Sequence, residues 1–397
     1  MRAQQLRRAG FLALATGAVF GLAACSSTAT GGTGDGEAAG ARVAISVPNG
    51  IVVLDGETLE VVDEFDTEEF TRLNPAGDGR GVMVTMSEGF QVLDTAAGTT
   101  GAAELTDLVF EADTAGHVVS HGGKTVLYAD GTSDSTIFDT EDLFAGEALP
   151  ETETIPGEEA HHGVSVVLED GSFLTTRGNA DGRSTVEVLD ADGERIAISD
   201  QCPGVHGEGT AEGEAVVFGC ENGAILVKDG AITKLDAPDQ PYGRMGNAYV
   251  SETSPLIVGD YKHDPDAEGY LLHEVVVIDT EAETYEVTAL PEGVEYTFRD
   301  VARGPGDLAY ILATDGSIHV FDPATGELTD EFPVIGAWEG PAEWQDAHPA
   351  IKIDGDIAYV TEPATDEVHA VDLTTGEVVA SVTLDAAPNE IAVASGR

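Results

Sequence analysis

The feature that most limits how this chain can fold is a pattern that recurs eight times after residue 40. Each copy is an apolar, strand-like run that ends in Asp, followed by a polar turn and a second run, as in VVLDGETLEVV and HAVDLTTGEVV. The eight aspartates lie 39 to 51 residues apart, at Asp55, Asp94, Asp139, Asp190, Asp229, Asp279, Asp322 and Asp372. A period of this length indicates that one supersecondary unit is repeated throughout the chain.

Seven of the eight copies are preceded by a second hairpin of alternating apolar residues around a Gly-containing turn, as in GVSVVLEDGSFLTT and AIKIDGDIAYVTE. Alternation of this kind is typical of half-buried antiparallel strands. Two hairpins per repeat make a four-stranded sheet, and eight such sheets in succession are typical of a β-propeller. The sequence therefore predicts an all-β protein whose residues 41–397 form a propeller, with eight four-stranded blades favoured over seven.

The two ends of the repeat region complete each other. The first copy has only one short strand before it, RVAISVP, while the C-terminal end supplies a strand without a partner, PNEIAVAS. Joining them in one blade would close the ring and remove two exposed sheet edges. We therefore expect the last blade to combine residues after about 386 with residues from about 42 to 66, whereas a seven-bladed ring would leave one copy unplaced.

The N-terminal segment is typical of an exported protein. Residues 1–24 combine three arginines with a short apolar stretch, which predicts a signal peptide. The stretch ends in Leu-Ala-Ala-Cys, which resembles the lipobox of bacterial lipoproteins and makes Cys25 the expected lipid attachment site. Residues 25–40 are then an anchor and a polar, flexible tether. We expect a protein on the outer face of the cytoplasmic membrane; an ordinary cleaved signal and a twin-arginine route remain alternatives.

The charge of the chain excludes one class of partner. The sequence has 18 Lys and Arg against 73 Asp and Glu, a formal net charge of −55. Affinity for nucleic acid depends on clustered basic residues, so nucleic-acid binding is excluded. A large negative charge also keeps a protein soluble, which is the simpler explanation for most of it.

Histidines recur where the innermost strand of a blade would begin. The chain has ten histidines, and four of the eight blades have one at this point. They are His117, the adjacent pair His161 and His162, His206 and His348. Inner strands surround the axis of a propeller, so these side chains are expected to converge. Converging imidazoles are typical zinc ligands, although a histidine at a channel mouth can also simply hydrogen-bond to backbone and water.

Other residues near this ring are candidates for supporting roles. Glu208 and Asp300 are candidate oxygen ligands, and Glu158 or Glu159 would orient the adjacent histidine pair. Cys202 and Cys220 flank the segment with His206, and a cysteine pair in an exported protein favours a disulfide over metal thiolates.

The remaining histidines are given other roles. We expect His319 and His369 to be core residues between blades, and His121 to be solvated in a turn. His263 and His273 flank an acidic insertion, where a solvated loop is favoured over a second metal site with Asp264 and Asp266.

Three stretches resemble the AztD-type zinc metallochaperones: GHVVSHGGKTVLYADG, EAHHGVSVVLEDG and CPGVHGEGTAEGEAVVFGC. The resemblance implies a β-propeller that binds Zn²⁺ outside the cytoplasm and passes it to the solute-binding protein of a zinc ABC importer. It also implies a second metal site. The chain lacks the His-rich flexible loop of many members and has the acidic FEADTAG near that place.

Two other functions remain as alternatives to a zinc-binding protein that is not an enzyme. One is a propeller lipoprotein that acts as a protein-interaction scaffold without metal. The other is an enzyme of the propeller lactonase or quinoprotein type. The sequence has only two Trp, no repeated Trp motif and no evident Ser/His/Asp arrangement, which disfavours the enzyme.

Overall fold

A computed structural model describes residues 38–397, which form eight antiparallel sheets of four strands, one with a short additional strand. The prediction of an all-β propeller with eight four-stranded blades is confirmed, and the seven-bladed alternative is wrong. Within the described residues the only helical elements are three single 3-10 turns, at Thr140–Asp142, Glu212–Glu214 and Pro305–Asp307. None of the described helices is long or apolar enough to span a bilayer. The predicted signal peptide, Cys25 and most of the tether lie outside the described residues.

The first four blades each have one innermost strand and three further strands towards the outside. Blade 1 contains β1 (Arg42–Val47), β2 (Gly50–Asp55) and β3 (Val61–Asp66), with an innermost strand from the C-terminal end. Blade 2 comprises β4 (Leu73–Pro75), β5 (Gly81–Met86), β6 (Gly89–Asp94) and β7 (Glu104–Glu111). Blade 3 comprises β8 (Ala115–His121), β9 (Lys124–Ala129), β10 (Asp134–Asp139) and β11 (Glu153–Ile155). Blade 4 comprises β12 (Ser165–Val167), β13 (Phe173–Asn179), β14 (Gly182–Leu189) and β15 (Arg195–Ser199).

The second four blades repeat this order. Blade 5 comprises β16 (His206–Ala211), β17 (Ala215–Cys220), β18 (Asn222–Lys228) and β19 (Ala231–Asp236), with the short β20 (Gly243–Arg244) beside β18. Blade 6 comprises β21 (Ala248–Tyr249), β22 (Leu256–Tyr261), β23 (Glu274–Asp279) and β24 (Thr284–Ala289). Blade 7 comprises β25 (Val301–Arg303), β26 (Ala309–Leu312), β27 (Ser317–Asp322) and β28 (Glu327–Pro333). Blade 8 comprises β29 (Ala350–Asp354), β30 (Ile357–Glu362), β31 (Glu367–Asp372) and β32 (Glu377–Thr383), and β33 (Ile391–Ala394) follows it.

The repeated Asp shapes the turn between the third and fourth strands of a blade. In six of the eight repeats its Oδ1 accepts a hydrogen bond from the backbone N–H two residues later; the donors are Glu57, Ala96, Asp192, Glu281, Ala324 and Thr374. A short carboxylate that bonds its own backbone in this way starts a tight turn. The sequence period is therefore the period of these turns.

Blade 1 closes the ring in the predicted manner. The C-terminal strand β33 pairs with β1 in antiparallel register, with Ile45 opposite Ile391 and Arg42 opposite Ala394. β33 is the innermost strand of this blade and contacts β4 of blade 2 and β29 of blade 8. The first and last strands of the described chain are thus part of one sheet, and the ring has no open edge at that point.

Apolar side chains fill the space between neighbouring blades. Between blades 4 and 5, for example, Val186 and Val188 pack against Phe218 and Ile225, all at most 1% exposed. Burying a side chain of this size stabilises the fold by about 1.5 to 3 kcal/mol. Packing of this kind fixes each blade relative to the next, and so fixes the inner strands that surround the axis.

Cys202 and Cys220 form the predicted disulfide. Both are fully buried, and the bond joins the segment before β16 to the end of β17. Because β16 begins with His206, the bond holds the backbone next to this histidine in place.

Candidate metal centre

Three histidines from consecutive blades meet at one mouth of the central channel. His117 of blade 3, His162 of blade 4 and His206 of blade 5 each offer a ring nitrogen, and these nitrogens all lie within 4.8 Å of one another. The Nε2 atoms of His117 and His162 are 3.3 Å apart. Two nitrogens bound to one tetrahedral zinc ion, each at about 2.0 to 2.1 Å, are separated by roughly this distance. We call these three residues the histidine triad.

Local irregularities in the inner strands help to position two of the three rings. The pairing of β8 with β9 shifts register between Ala115 and Val118, where His117 lies. The pairing of β16 with β17 shifts between His206 and Glu208. The residue passed over there is Gly207, with a φ of +54°, and a Cβ on it would lie 2.2 Å from the carbonyl oxygen of Gly246. Bulges of this kind redirect side chains, here towards the channel mouth.

Two of the rings are held by groups that accept hydrogen bonds. His162 Nδ1 lies 2.6 Å from Asp130 Oδ2, and His206 Nδ1 lies 2.7 Å from the carbonyl oxygen of Gly246. Because a carboxylate and a carbonyl only accept, each Nδ1 carries the proton and donates it. The lone pair of each neutral ring is then on Nε2, the atom that faces the other histidines. A partner of this kind fixes both the tautomer and the direction of a metal-binding histidine.

No carboxylate or carbonyl oxygen among the described residues fixes the tautomer of His117. Since His162 Nε2 has the lone pair, a neutral His117 with its proton on Nε2 would donate it to His162 across the 3.3 Å contact. Binding of a cation by all three Nε2 atoms therefore requires this proton to move to Nδ1 or to leave.

Burial and neighbouring charges keep two of the rings neutral. Burial lowers the pKa of His117 well below its ordinary value, and the repulsion that a protonated His117 would meet from protonated His206 or His162 lowers it further. Burial lowers the pKa of His206 to about 3, although its bond to Gly246 acts in the opposite direction. Only a neutral imidazole can bind a metal, so these two rings are ready to do so well below neutral pH.

A cavity of about 540 Å³ opens above the triad. Its walls combine aromatic side chains, among them Tyr242, Tyr270 and Trp344, with cationic ones. The triad is therefore accessible from this cavity and is not enclosed by protein. A metal held by three imidazoles would keep one coordination position that faces the cavity.

The structure does not bring His161 to the triad, although it is adjacent to His162 in sequence. His161 is 9% exposed, and its ring lies between blades 3 and 4, where it contacts Ser133 at 2.8 Å and Tyr128 at 3.1 Å. Ser133 Oγ also accepts from the His161 backbone N–H. The two adjacent side chains thus make different contacts: His161 packs against Ser133 and Tyr128, and His162 belongs to the triad.

His348 and Glu208, the other two candidate ligands, also lie outside the triad. His348 is 2% exposed, and its Nδ1 donates to the carbonyl oxygen of Asp346 at 2.7 Å. Burial lowers its pKa to about 4. Glu208 is half-buried on β16, and Asp300 is fully buried and accepts hydrogen bonds from Thr297. Neither carboxylate belongs to the group of residues that meet at the triad.

Glu208 gives a prediction about stability. Burial raises its pKa from 4.5 to about 7, so the folded protein binds this proton more tightly than the unfolded chain. Protonation of Glu208 therefore stabilises the folded state fully below about pH 4.5, and this stabilisation is lost as the pH rises to about 7. We expect Glu208→Gln to raise the free energy of unfolding of the metal-free protein by about 1 to 3 kcal/mol at pH 8, and to change it little at pH 4.5.

Chemical denaturation of parent and variant at both pH values measures this difference. Glu377→Gln, on the outermost strand β32, is the matched control because its carboxylate is exposed. It is expected to differ from the parent by less than about 0.5 kcal/mol at either pH. A Glu208→Gln effect of equal size at both pH values would show that folding does not raise the pKa of this carboxyl.

Sequence reasoning missed the groups that orient the triad. Glu158 and Glu159 were expected to orient the histidine pair, but Glu158 pairs with Arg177 and Glu159 contacts His161 through its backbone carbonyl. The carboxylate that orients His162 is Asp130, in the Ala-Asp-Gly turn after β9. The turn itself is visible in the sequence, but its proximity to the next blade is a property of the ring.

The other histidines lie away from the triad. His319 and His369 are buried on β27 and β31, as expected for core residues, and pair with Asp315 and Glu362. His121 is not simply solvated, because its Nε2 lies 2.9 Å from Glu214 Oε1.

The acidic insertion does bring its two histidines together. The rings of His263 and His273 lie 5.9 Å apart, and His263 Nδ1 is 2.5 Å from Glu274 Oε2. Both histidines are exposed, and Glu274 rather than Asp264 or Asp266 is their carboxylate neighbour.

Comparison with known proteins supports the resemblance seen in the sequence. The chain is 22% identical over 304 residues to the zinc chaperone AztD of Citrobacter koseri, covering 74% of this chain and 69% of AztD. The crystal structure of Citrobacter koseri AztD matches with a TM-score of 0.74 and 20% identity over 89% of this chain and 97% of AztD. This chain resembles AztD in sequence and in fold.

Two further comparisons bear on the fold alone. Apo AztD from Citrobacter koseri matches with a TM-score of 0.74 and 18% identity over 90% of this chain and 98% of that chain. The dihydro-heme d1 dehydrogenase NirN matches with a TM-score of 0.57 and 15% identity over 89% of this chain and 75% of NirN. No family model matches the sequence. At these identities the solved structures support the propeller fold, and function depends on the site.

Proposed function

We propose that this chain is an extracytoplasmic zinc-binding metallochaperone that passes Zn²⁺ to the solute-binding protein of a zinc ABC importer. The observation that carries the proposal is the histidine triad, with two rings already oriented by Asp130 and Gly246. Three imidazoles whose ring nitrogens lie within 4.8 Å of one another match the preference of zinc for nitrogen ligands. The similarity to AztD, a zinc chaperone, supports the same assignment.

The open side of the triad suits transfer rather than permanent binding. Structural zinc sites are closed by four protein ligands, whereas sites that exchange a ligand keep one position open. Among the described residues the triad supplies three ligands, and the remaining direction faces the cavity. An acceptor protein can approach from that side and take over the ion while the histidines still hold it.

The location of the protein is part of the proposal. Residues 1–24 would direct export, Cys25 would bear the lipid, and the tether up to residue 40 would separate the propeller from the membrane. This places the triad on the outer face of the cytoplasmic membrane, where a solute-binding protein also acts. The proposed role is binding and transfer, not catalysis.

A transfer experiment tests this function. The protein is loaded with one equivalent of zinc and mixed with the purified zinc-binding solute-binding protein of the same organism, either in contact or across a dialysis membrane. We expect zinc to reach the acceptor faster in contact than across the membrane, because direct transfer avoids release into solution. Equal rates in both arrangements would contradict the proposal.

The competing functions make different predictions. If the chain is a scaffold without metal, the purified protein contains no stoichiometric zinc and binds none in titration. If it is a lactonase-type enzyme, it hydrolyses lactones in a metal-dependent assay.

A further inference from the structure

The cavity above the triad is cationic, although the protein is strongly acidic. Only 18 of the 397 residues are Lys or Arg, yet Arg72, Arg244 and Lys262 all line this cavity. One carboxylate, Asp260, also lines it. The local charge is thus opposite to that of the chain as a whole, and it lies where a divalent cation is proposed to bind.

Asp260 forms no salt bridge with these cations among the described residues, because its oxygens accept hydrogen bonds from other groups. Oδ1 accepts from the backbone N–H groups of Gly246 and Asn247, at 2.5 and 3.0 Å, and Oδ2 accepts from Asn247 Nδ2 at 2.7 Å. These bonds hold the Gly246 segment that in turn orients His206. Asp260 is therefore a positioning residue for the triad and not a ligand of the cavity's occupant.

Arg72 has unused hydrogen-bonding capacity. Its guanidinium lies 5.9 Å from the ring centroid of Trp344, and its Nε is buried without a hydrogen-bond partner among the described residues. This Nε faces Glu390 Oε1 at 3.8 Å, and Glu390 is bound more closely by Arg299, at 2.6 Å. The donors that Arg72 can offer to the cavity are therefore its Nη groups, which form no hydrogen bond with the described residues on a side chain that is 37% exposed.

Arg244, which also lines the cavity, has weakly paired donors as well. Its Nη1 lies 3.5 Å from the carbonyl oxygen of Gly204 and 3.8 Å from Glu221, both long for a hydrogen bond. Lys262, in contrast, donates to the carbonyl oxygen of Ala267 at 2.8 Å. The two arginines are thus the cations with free donors, and a guanidinium fits a carboxylate in a two-bond, planar arrangement.

We propose that this cavity is a carboxylate-binding site, in which Arg72 and Arg244 hold an incoming carboxylate whose oxygen takes the fourth position on the triad-bound zinc. The inference rests on the proposed function and adds the chemical class of the exchanging ligand. Three neutral imidazoles leave the charge of zinc uncompensated, and the arginines add to it. An anion that contacts both the metal and a guanidinium compensates the positive charge of the zinc ion and that of the arginine.

Two sources supply this chemistry. One is an Asp or Glu side chain of the acceptor protein that enters the cavity during transfer. The other is a free organic acid that remains on the metal until the acceptor arrives. A cavity of about 540 Å³ with aromatic walls accommodates either.

The test uses the protein loaded with one equivalent of cobalt(II), whose visible absorption reports its ligands, and which binds the same nitrogen ligands as zinc. The probes are acetate and two tripeptides without terminal charges, acetyl-Gly-Glu-Gly-amide and its Gln counterpart. We expect saturable spectral changes with acetate and with the Glu peptide, and none with the Gln peptide. The variant Arg72→Gln/Arg244→Gln should weaken this binding at least 10-fold, and Arg195→Gln, on the outer strand β15, should leave it unchanged.

Each outcome decides a separate point. Tighter binding of the Glu peptide than of acetate identifies a protein side chain as the natural ligand, and the reverse identifies a free acid. Arg72→Lys keeps the positive charge but loses the planar guanidinium, so its affinity for the carboxylate probes should lie between those of the parent and the double variant. A misfolded variant would not give such an intermediate value. A cobalt-loaded protein whose spectrum ignores both carboxylates, or binds them equally well without the two arginines, overturns the carboxylate site but leaves the metal site intact. Failure to bind one equivalent of cobalt or zinc overturns both.

Discussion

Replacing His162 with alanine is expected to lower the affinity for zinc by at least about 100-fold. The variant removes one of three nitrogen ligands and leaves Asp130 Oδ2 without its hydrogen-bond donor. Removal of a group that only orients a ligand costs about 10 to 100-fold, so loss of the ligand itself should cost at least as much. Calorimetric titration of parent and variant, with a competing chelator for the tighter one, measures the difference.

His121→Ala is the matched control, because His121 lies on β8, the strand that carries His117, but at its other end. It should bind zinc as the parent does. Asp130→Asn should give an intermediate loss of about 10 to 100-fold, since the ring remains but its tautomer is no longer fixed. Unchanged affinity in His162→Ala, or an equal loss in His121→Ala, would place the zinc elsewhere.

A variant that lacks residues 389–397 is not expected to unfold in a single cooperative transition at the melting temperature of the parent. The deletion removes β33, the innermost strand of blade 1, and exposes the edge of β1 together with the cluster around Val43 and Ile45. Ile391, Ala392 and Ala394 are at most 2% exposed, so their loss leaves space between blades 8, 1 and 2. Thermal unfolding followed by circular dichroism measures the effect.

A point variant covers the case in which the truncated chain cannot be purified. Ile391→Ala should lower the free energy of unfolding by about 2 to 5 kcal/mol, as expected for a fully buried side chain. Val379→Ala, on the outer strand β32 where the side chain is 54% exposed, should change it by less than about 0.5 kcal/mol. A truncated protein with the parent's melting temperature would contradict closure of the ring by β33.

The fold could be predicted because the residues that set its repeat period act on their neighbours in sequence. The repeated Asp forms a turn through its own backbone, and the alternation of apolar residues forms the strands on either side. Both signals depend only on neighbours in sequence. The closing blade was predictable as well, since an incomplete first repeat and an unpaired last strand each required a partner.

The site was predictable only in outline. The spacing of the repeats brought His117, His162 and His206 to equivalent points of consecutive blades, but it could not distinguish His162 from His161. That choice depends on which ring meets Ser133 and Tyr128 of the preceding blade. Two of the triad's rings also depend on bulges in β8 and β16, which have no clear sequence signal.

The electrostatics of the cavity could not be read from composition. A net charge of −55 predicts an acidic surface nearly everywhere, yet arginines that are distant in sequence line the cavity above the triad. Arg72 precedes β4 and Arg244 ends β20, so they are 172 residues apart in sequence. Only closure of the ring brings such distant residues to one cavity. Local sequence patterns therefore could not predict that these two arginines share a cavity.

The most direct test of the central claim is the position of zinc in crystals of the zinc-loaded protein, located by anomalous scattering at the zinc absorption edge. The account predicts one dominant peak at about 2.0 to 2.1 Å from the Nε2 atoms of His117, His162 and His206. It further predicts that the remaining ligand lies on the cavity side. A dominant peak elsewhere, such as beside His263, His273 and Glu274, with none at the triad, would contradict it.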